Sequence, residues 1–435
     1  MGDARIGSQD DSISIATVDG PNSTWTNSGS MIVAAEGTAT LDITGGGRVA
    51  NTDAFIASDA GGTGIVTVDG ANSMWMNSGG LKVGTIGTAT LNITAGGRVF
   101  SADARIASDS DSTGTVTVTG AGSSWAIDGP LLVGGNSTNN GGTGTLRIQP
   151  GGTVDVAQET TLFLNDQLIL EGGTLSASRI SFFQGGGTFQ WTSGTLSVGI
   201  YHGNLQVPNS GVLDAGILNG FGSTNIIGGY NQQAAGATLE FEFGGGGLQE
   251  AVFVTDTAVL GGNLKLTLLD GAVPSAAINF IIFDALSIFG AFTNVANGQR
   301  LTTSDGLGSF LVHYGAGSAF DPSEIVLSNF LPGAVPGDYN QDGRVNAADY
   351  TVWRNNLGRS TALPNDDTPG VAADDYARWK THFGETAGSG AGGVAAVPES
   401  ATLVLLSLAA IGLLRFRVTI FSTPAIPSRH SLAGA

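Results

Sequence analysis

Asp338, Asn340, Asp342, Gly343, Arg344, Asn346 and Asp349 are spaced as the oxygen donors of a single cation loop. In Gly337-Asp-Tyr-Asn-Gln-Asp-Gly-Arg-Val-Asn-Ala-Ala-Asp349, side-chain oxygens stand at loop positions 1, 3 and 5. Gly343 falls at position 6, where the chain must turn sharply, and Arg344 offers its backbone carbonyl at 7. Asn346 lies at 9 and Asp349 at 12. Hard oxygens at this spacing wrap one Ca2+, whereas Mg2+ demands a tighter octahedron and keeps more of its waters. The competing reading is an Asp/Asn-rich turn without metal.

A loop of this kind needs elements to hold it. Tyr350, Trp353 and Leu357 fall on one face of a helix that Gly358 ends. A second copy follows directly, Asp375-Tyr-Ala-Arg-Trp-Lys-Thr-His-Phe-Gly384 matching Asp349-Tyr-Thr-Val-Trp-Arg-Asn-Asn-Leu-Gly358. Its ligand positions hold Pro364, Asp366, Thr368, Gly370, Ala372 and Asp375, so only two carboxylates remain and the second loop reads as degenerate. The duplicated loop and helix over 337–384 resemble a type I dockerin. That resemblance implies one Ca2+ on the first loop and a cohesin domain on another protein as partner. Loop positions 10 and 11, which carry much of the family's recognition, are Ala347-Ala348 and Ala373-Asp374 here, not the hydroxyl pair of cellulosomal members. A calcium-stabilised terminal module without a cohesin is the plainer reading.

Elsewhere the reactive residue types are sparse. His202, His313, His382 and His430 are scattered, there is no cysteine, and no Gly-x-Ser-x-Gly or His-Glu-x-x-His motif occurs. Most aspartates recur with a repeat (Asp3, Asp53 and Asp103; Asp19 and Asp69; Asp59 and Asp109), as turn residues do. Asp214, Glu240 and Glu242 are not repeated, and nothing in the sequence pairs them for the acid–base work of a polysaccharide lyase or glycosidase. The chain is therefore expected to be non-enzymatic. Its net charge of −19 argues against nucleic acid and anionic membranes as partners.

The repeat sets the architecture. Ile56 to Arg105 is a 50-residue block whose densest phrase, Ile65-Val-Thr-Val-Asp-Gly-Ala-Asn-Ser-Met-Trp75, recurs around Trp25 and Trp125. Ile56, Leu81, Ile106 and Leu131 are evenly spaced and halve the block into two coils, each residue read as opening a strand triplet. Within Thr88-Ala-Thr-Leu-Asn-Ile-Thr94, Ala89, Leu91 and Ile93 share one face. One such coil cannot bury its own apolar face, but stacked coils can. The expected fold is all-β, a parallel β-helix (solenoid), with an antiparallel sandwich as the competitor.

Residues 1–160 are read as regular coils, 161–234 as degenerate coils and 235–331 as an antiparallel β cap over the open end. Thr38/Thr40, Thr88/Thr90 and Thr143/Thr145 would stack as outward rows. Trp25, Trp75 and Trp125 form either a glycan-binding aromatic ladder or, better suited to their small turn neighbours, a stacked core column. An extracellular polysaccharide is thus the ligand considered, and a polysaccharide-binding or -degrading β-helix the alternative function.

Gly114-Thr-Val-Thr-Val-Thr-Gly-Ala-Gly-Ser-Ser-Trp125 and Gly142-Thr-Gly-Thr-Leu-Arg-Ile-Gln-Pro-Gly-Gly-Thr-Val154 resemble repeats shared by autotransporter passengers and PEP-CTERM proteins. This implies an exported, surface or extracellular β-helix. After the Gly-rich linker 385–396, Val397-Pro398-Glu399-Ser400-Ala401-Thr402, the apolar run from Ala401 to Leu414 and the basic stop Arg415-Phe-Arg417 resemble a PEP-CTERM sorting signal. The resemblance implies processing by an exosortase, transient membrane residence of 397–417 and a cell-surface or matrix destination. Residues 418–435 stay unassigned. Met1-Gly-Asp-Ala-Arg-Ile matches the interior of a repeat, so the start is expected to be truncated and an N-terminal signal peptide missing.

Overall fold

The computed structural model describes residues 2–136, 138–216, 221–270, 272–333, 335–366 and 368–385. They fall into two units, Met1–Ala334 and Val335–Ala435.

The first unit is a parallel β-solenoid of about ten turns, as its repeat requires. The long strands Thr38–Thr44, Thr63–Asp69, Thr88–Thr94, Thr113–Thr119 and Thr143–Ile148 stack in parallel and in register. Alternation decides which side faces in: Leu41, Ile43, Val66, Val68, Leu91 and Ile93 are fully buried. Burying each such side chain stabilises the fold by about 1.5–3 kcal/mol before chain entropy is set against it. The outward positions align as expected, and Thr63 and Thr113 complete the row Thr38, Thr63, Thr88, Thr113, Thr143. Corners close on glycine: a Cβ at Gly97 would lie 2.1 Å from the Val68 carbonyl oxygen of the coil beneath.

The short triplets correct one reading. Leu81 pairs with Ala54 and with Ala104, so Ile56 and Ile106 close their strands instead of opening them. Down this column stand Met31, Ala54, Leu81, Ala104 and Leu131. The chain from Met31 to Ala54, or from Leu81 to Ala104, is shorter than that from Ala54 to Leu81 or from Ala104 to Leu131. The two coils of each block turn this corner with loops of different length, which an even average conceals.

The tryptophans belong to the core. Trp25, Val49, Trp75, Val99, Trp125 and Val154 form one column, each ring over a valine. Trp75 and Trp125 are fully buried. Trp75 donates its indole N–H to Asn51 Oδ1 at 2.8 Å and Trp125 donates to Ser101 Oγ at 3.2 Å. Asn51 in turn donates to Asn77 Oδ1 at 2.7 Å, a buried amide chain beside the rings.

From 152 onward the coils shorten and their strands run round the corners. Gly152–Leu162, Gln167–Phe182 and Thr188–His202 pair in parallel, with Thr153, Thr174 and Thr195 stacked. The cap also begins later than its alternation suggests. Thr238–Phe243, Ala251–Leu260 and Asn263–Leu268 still pair in parallel with their coil neighbours. Alternation looks alike in a coil and in an antiparallel strand, so it could not place the boundary. Antiparallel pairing starts with Phe280–Gly290, which joins Glu324–Pro332, and continues through Gly308–Tyr314 and Gln299–Thr302. Phe243, Phe280, Phe310 and Phe330 seal this end, Phe310 lying 5.3 Å from Phe243 and 4.9 Å from Phe330 between ring centres.

The second unit holds two helices, α1 (Ala347–Asn356) and α2 (Ala373–His382). Tyr339, Leu363 and Val371 make its small core, with Val352, Trp353 and Trp379 against it. Leu357 lies past the end of α1 and is exposed, so Val352 takes the apolar role the sequence assigned to it.

Candidate metal loop and carboxylate clusters

The duplication within 337–384 builds a reciprocal brace. Trp353 of α1 donates its indole N–H to the Ala372 carbonyl at the start of α2, and Trp379 of α2 donates to the Asn346 carbonyl at the start of α1, both at 2.7 Å. Asn346 caps α1, accepting from the Ala348 N–H at 2.7 Å, and Asp349 closes the box by accepting from the Asn346 N–H at 2.8 Å. Each helix therefore fixes the other's loop.

The brace positions the predicted ligands. Asp338 is buried and accepts from the N–H groups of Asp342 and Gly343. Asp349, also buried, accepts from the Asn340 N–H at 3.0 Å. Asn340 Oδ1 accepts from the Asp342 N–H, and Asp342 Oδ1 from the Arg344 N–H, both at 3.0 Å. Gly343 takes the left-handed conformation expected of it, at φ +83°. Burial raises the Asp338 carboxyl above its ordinary range; the nearby Asp349 and Asp342 add to that, and the Gly343 and Asp342 N–H groups oppose it. No group of three or more His, Cys, Asp or Glu side chains that could hold a metal is formed among the described residues. The donor chemistry fits a hard cation completed by amide and backbone oxygens from Asn340, Arg344 and Asn346. Bound Ca2+ would supply charge neutralisation to Asp338, Asp342 and Asp349.

The second loop is built differently. The Asp366 side chain is fully buried, accepts from the Thr368 N–H and hydroxyl, and has Arg378 Nε 3.7 Å from Oδ1. That single hydroxyl proton is shared with Asp375, whose Oδ1 lies 2.9 Å from Thr368 Oγ1, and Asp366 Oδ2 is left without a hydrogen bond. A hydroxyl and a guanidinium thus serve the two carboxylates, and Pro364, Gly370 and Ala372 supply no side-chain donor.

The repeated aspartates hold corners. Asp53 Oδ1 accepts from the Gly80 N–H at 2.9 Å, and Asp19 accepts from the Thr44 hydroxyl at 2.8 Å.

The unrepeated acids, which the sequence left unpaired, are brought together. Asp214 stands in register with Glu240, and Glu240 with Lys265, whose Nζ lies 2.5 Å from Glu240 Oε1. Glu250, buried, accepts from the Glu242 N–H at 2.7 Å. Burial pushes Asp214 up to about 7, helped by Glu240 and Glu242 and opposed by Lys265. Burial also pushes Glu250 up to about 9, against the Glu242 N–H and with help from the neighbouring acids. Asp214, Glu240 and Lys265 sit on successive rungs of the wall, and their spacing, close to one coil, was the signal for it; Glu250 reaches Glu242 from outside the strands and carried no such signal.

Asp166 is a second unforeseen carboxyl. It is fully buried, accepts from the Gly144 N–H and leaves Oδ2 without a hydrogen bond. Burial pushes it up to about 7 against that N–H.

Val397, Pro398, Glu399, Ser400, Ala401, Thr402, Arg415 and Arg417, with the linker from 386 and the tail, lie outside the described residues. Among the described residues no helix is long and apolar enough to cross a membrane. No family model, no curated protein and no solved structure matches the chain.

Proposed function

We propose that the chain is an exported, non-enzymatic solenoid with a structural or adhesive role at the cell surface or in an extracellular matrix. One Ca2+ on Asp338–Asp349 stiffens its terminal module, and an exosortase-type enzyme processes the segment 397–417. The observation that carries the scaffold role is that the repeated side chains of the wall are engaged within the fold. Its repeated Trp, Asn and Asp side chains are spent on stacking and corners, and Glu250 is sealed inside the wall beside Glu242. Net charge of −19 suits a protein that stays dispersed and meets divalent cations outside the cell. A cohesin domain is a weaker partner here, because Ala347-Ala348 replaces the hydroxyl pair.

Cell fractionation of a strain expressing the complete gene tests this reading. The full-length protein is expected at the surface or in the medium, and loss of 397–417 should redistribute it. An unchanged location would remove the sorting role, and retention of the intact protein in the cytoplasm would remove export.

A further inference from the structure

The solenoid wall has a step in it. Thr143–Ile148 is covered by Gln167–Leu170, and that strand by Thr188–Trp191 of the next coil. The following coil does not continue the column. Its pairing with Thr188–His202 begins only at Ser193, opposite Ser210. The chain between, Leu205–Gln206, pairs instead with Tyr230–Asn231. Among the described residues, Thr188–Thr192 is therefore a strand with one free edge.

The residues at this step break the pattern beneath them. Leu168 and Leu170 are fully buried, and directly above them stand Phe189 and Trp191, which are only half-buried. Two of the largest side chains thus occupy core-facing positions where the wall stops. Phe189 lies 6.2 Å from Trp191 and 6.1 Å from Tyr201, and Tyr201 lies 5.9 Å from Phe182. The four rings form the floor of two adjoining clefts of about 490 and 560 Å3, which share Thr188, Phe189, Tyr201 and Asn204. The rim carries exposed Gln190, Asn204 and Gln206. Among the described residues, no Asp, Glu, Lys or Arg lines either cleft, in a chain of net charge −19.

An aromatic floor, amide groups at the rim and no acidic or strongly basic side chain complement one ligand chemistry. Sugar rings present apolar C–H faces that lie on aromatic rings, and their hydroxyls pair with side-chain amides. We infer that this step is a binding cleft for a neutral oligosaccharide chain, seated on Phe189 and Trp191 and held by Gln190, Asn204 and Gln206. The site is remote in sequence from the repeated tryptophans, which are core. It goes beyond the scaffold reading and does not depend on calcium or sorting.

The test uses the full chain and isothermal titration with cellohexaose, xylohexaose, laminarihexaose and chitohexaose, plus a twelve-residue peptide of alternating Thr and Val. Trp191→Leu and Phe189→Leu install the residue type that the coil beneath already buries, and each is titrated below its own melting temperature so that loss of binding is read on folded protein. Gln206→Ala removes an exposed amide without touching the core. The expected result is binding of at least one hexaose, weakened tenfold or more by Trp191→Leu and severalfold by Gln206→Ala. Binding of none of the four, or hexaose binding that Trp191→Leu leaves unchanged, overturns the proposal. Binding of the peptide alone overturns it in favour of strand addition at the free edge of Thr188–Thr192.

Discussion

Asp166 carries the sharpest residue-level consequence. Its carboxyl sits where Gly134 must lack a side chain, since a Cβ there would fall 1.5 Å from Asp166 Oδ2. One oxygen is paired and the other is not, so the neutral acid is the better guest. The group rises from 3.8 to about 7 on folding. The native state therefore binds its proton more tightly than the unfolded chain. The resulting stability is complete below about pH 4 and is lost as pH rises through 7. Asp214 titrates in the same sense, so the comparison must be with a variant. Asp166→Asn should melt with a flatter pH profile between 4 and 7 and exceed the wild type at pH 8, by up to about 4 kcal/mol in unfolding free energy. Parallel profiles in denaturant titrations would refute it. Nothing in Asn165-Asp166-Gln167 announces a buried acid, because its partners Gly134 and Gly144 are set by tertiary contact. The corner roles of Asp19 and Asp53, by contrast, were legible because repetition exposed them.

At the scale of elements, the two helices and the sharp turn at Gly343 were legible. The capping box of Asn346 and Asp349 was not, because the sequence read both residues only as cation ligands. The reciprocal Trp353 and Trp379 bonds were not, because each indole crosses to the other copy. That crossing makes the first loop's fate visible in the second helix. In the full chain, Ca2+ is expected to slow amide exchange in 338–357 and in 373–382. At one hundred times its dissociation constant it should add about 2.7 kcal/mol of protection. Asp342→Ala should abolish the effect in both segments, and titration should give one ion per chain, since Arg378 and Thr368 already serve Asp366. Equal exchange in Ca2+ and chelator would remove calcium from the account of this unit. The cap shows the opposite case: Thr238–Phe243 reads the same whether its neighbour is parallel or antiparallel, and only pairing tells.

At the scale of the molecule, the repeat made the solenoid readable, and the same repeat predicts which pieces can be removed. The structural unit is the two-coil block, because the core alternates between coils. Trp stands over Val, and Ala over Leu or Met, down two separate columns. Deleting 56–105 joins Phe55 to Ile106 and leaves Ala54 before them, so the triplet survives as Ala-Phe-Ile. Val49 then meets Trp125, and Thr38–Thr44 meets Thr113–Thr119, each in the pairing it has now with the removed coils. Deleting 63–87 also removes a whole coil length, joining Gly62 to Thr88. It sets Val49 against Val99 and Ala54 against Ala104, with the volume of Trp75 and Leu81 gone from between them. Unfilled core space of that size costs about 3–5 kcal/mol. The shorter deletion should therefore be the more damaging one: the two-coil deletant is expected to unfold cooperatively close to the parent temperature, and the one-coil deletant well below it. If the two melt alike, the coils are interchangeable and the alternation of Trp with Val is not what holds the stack in register.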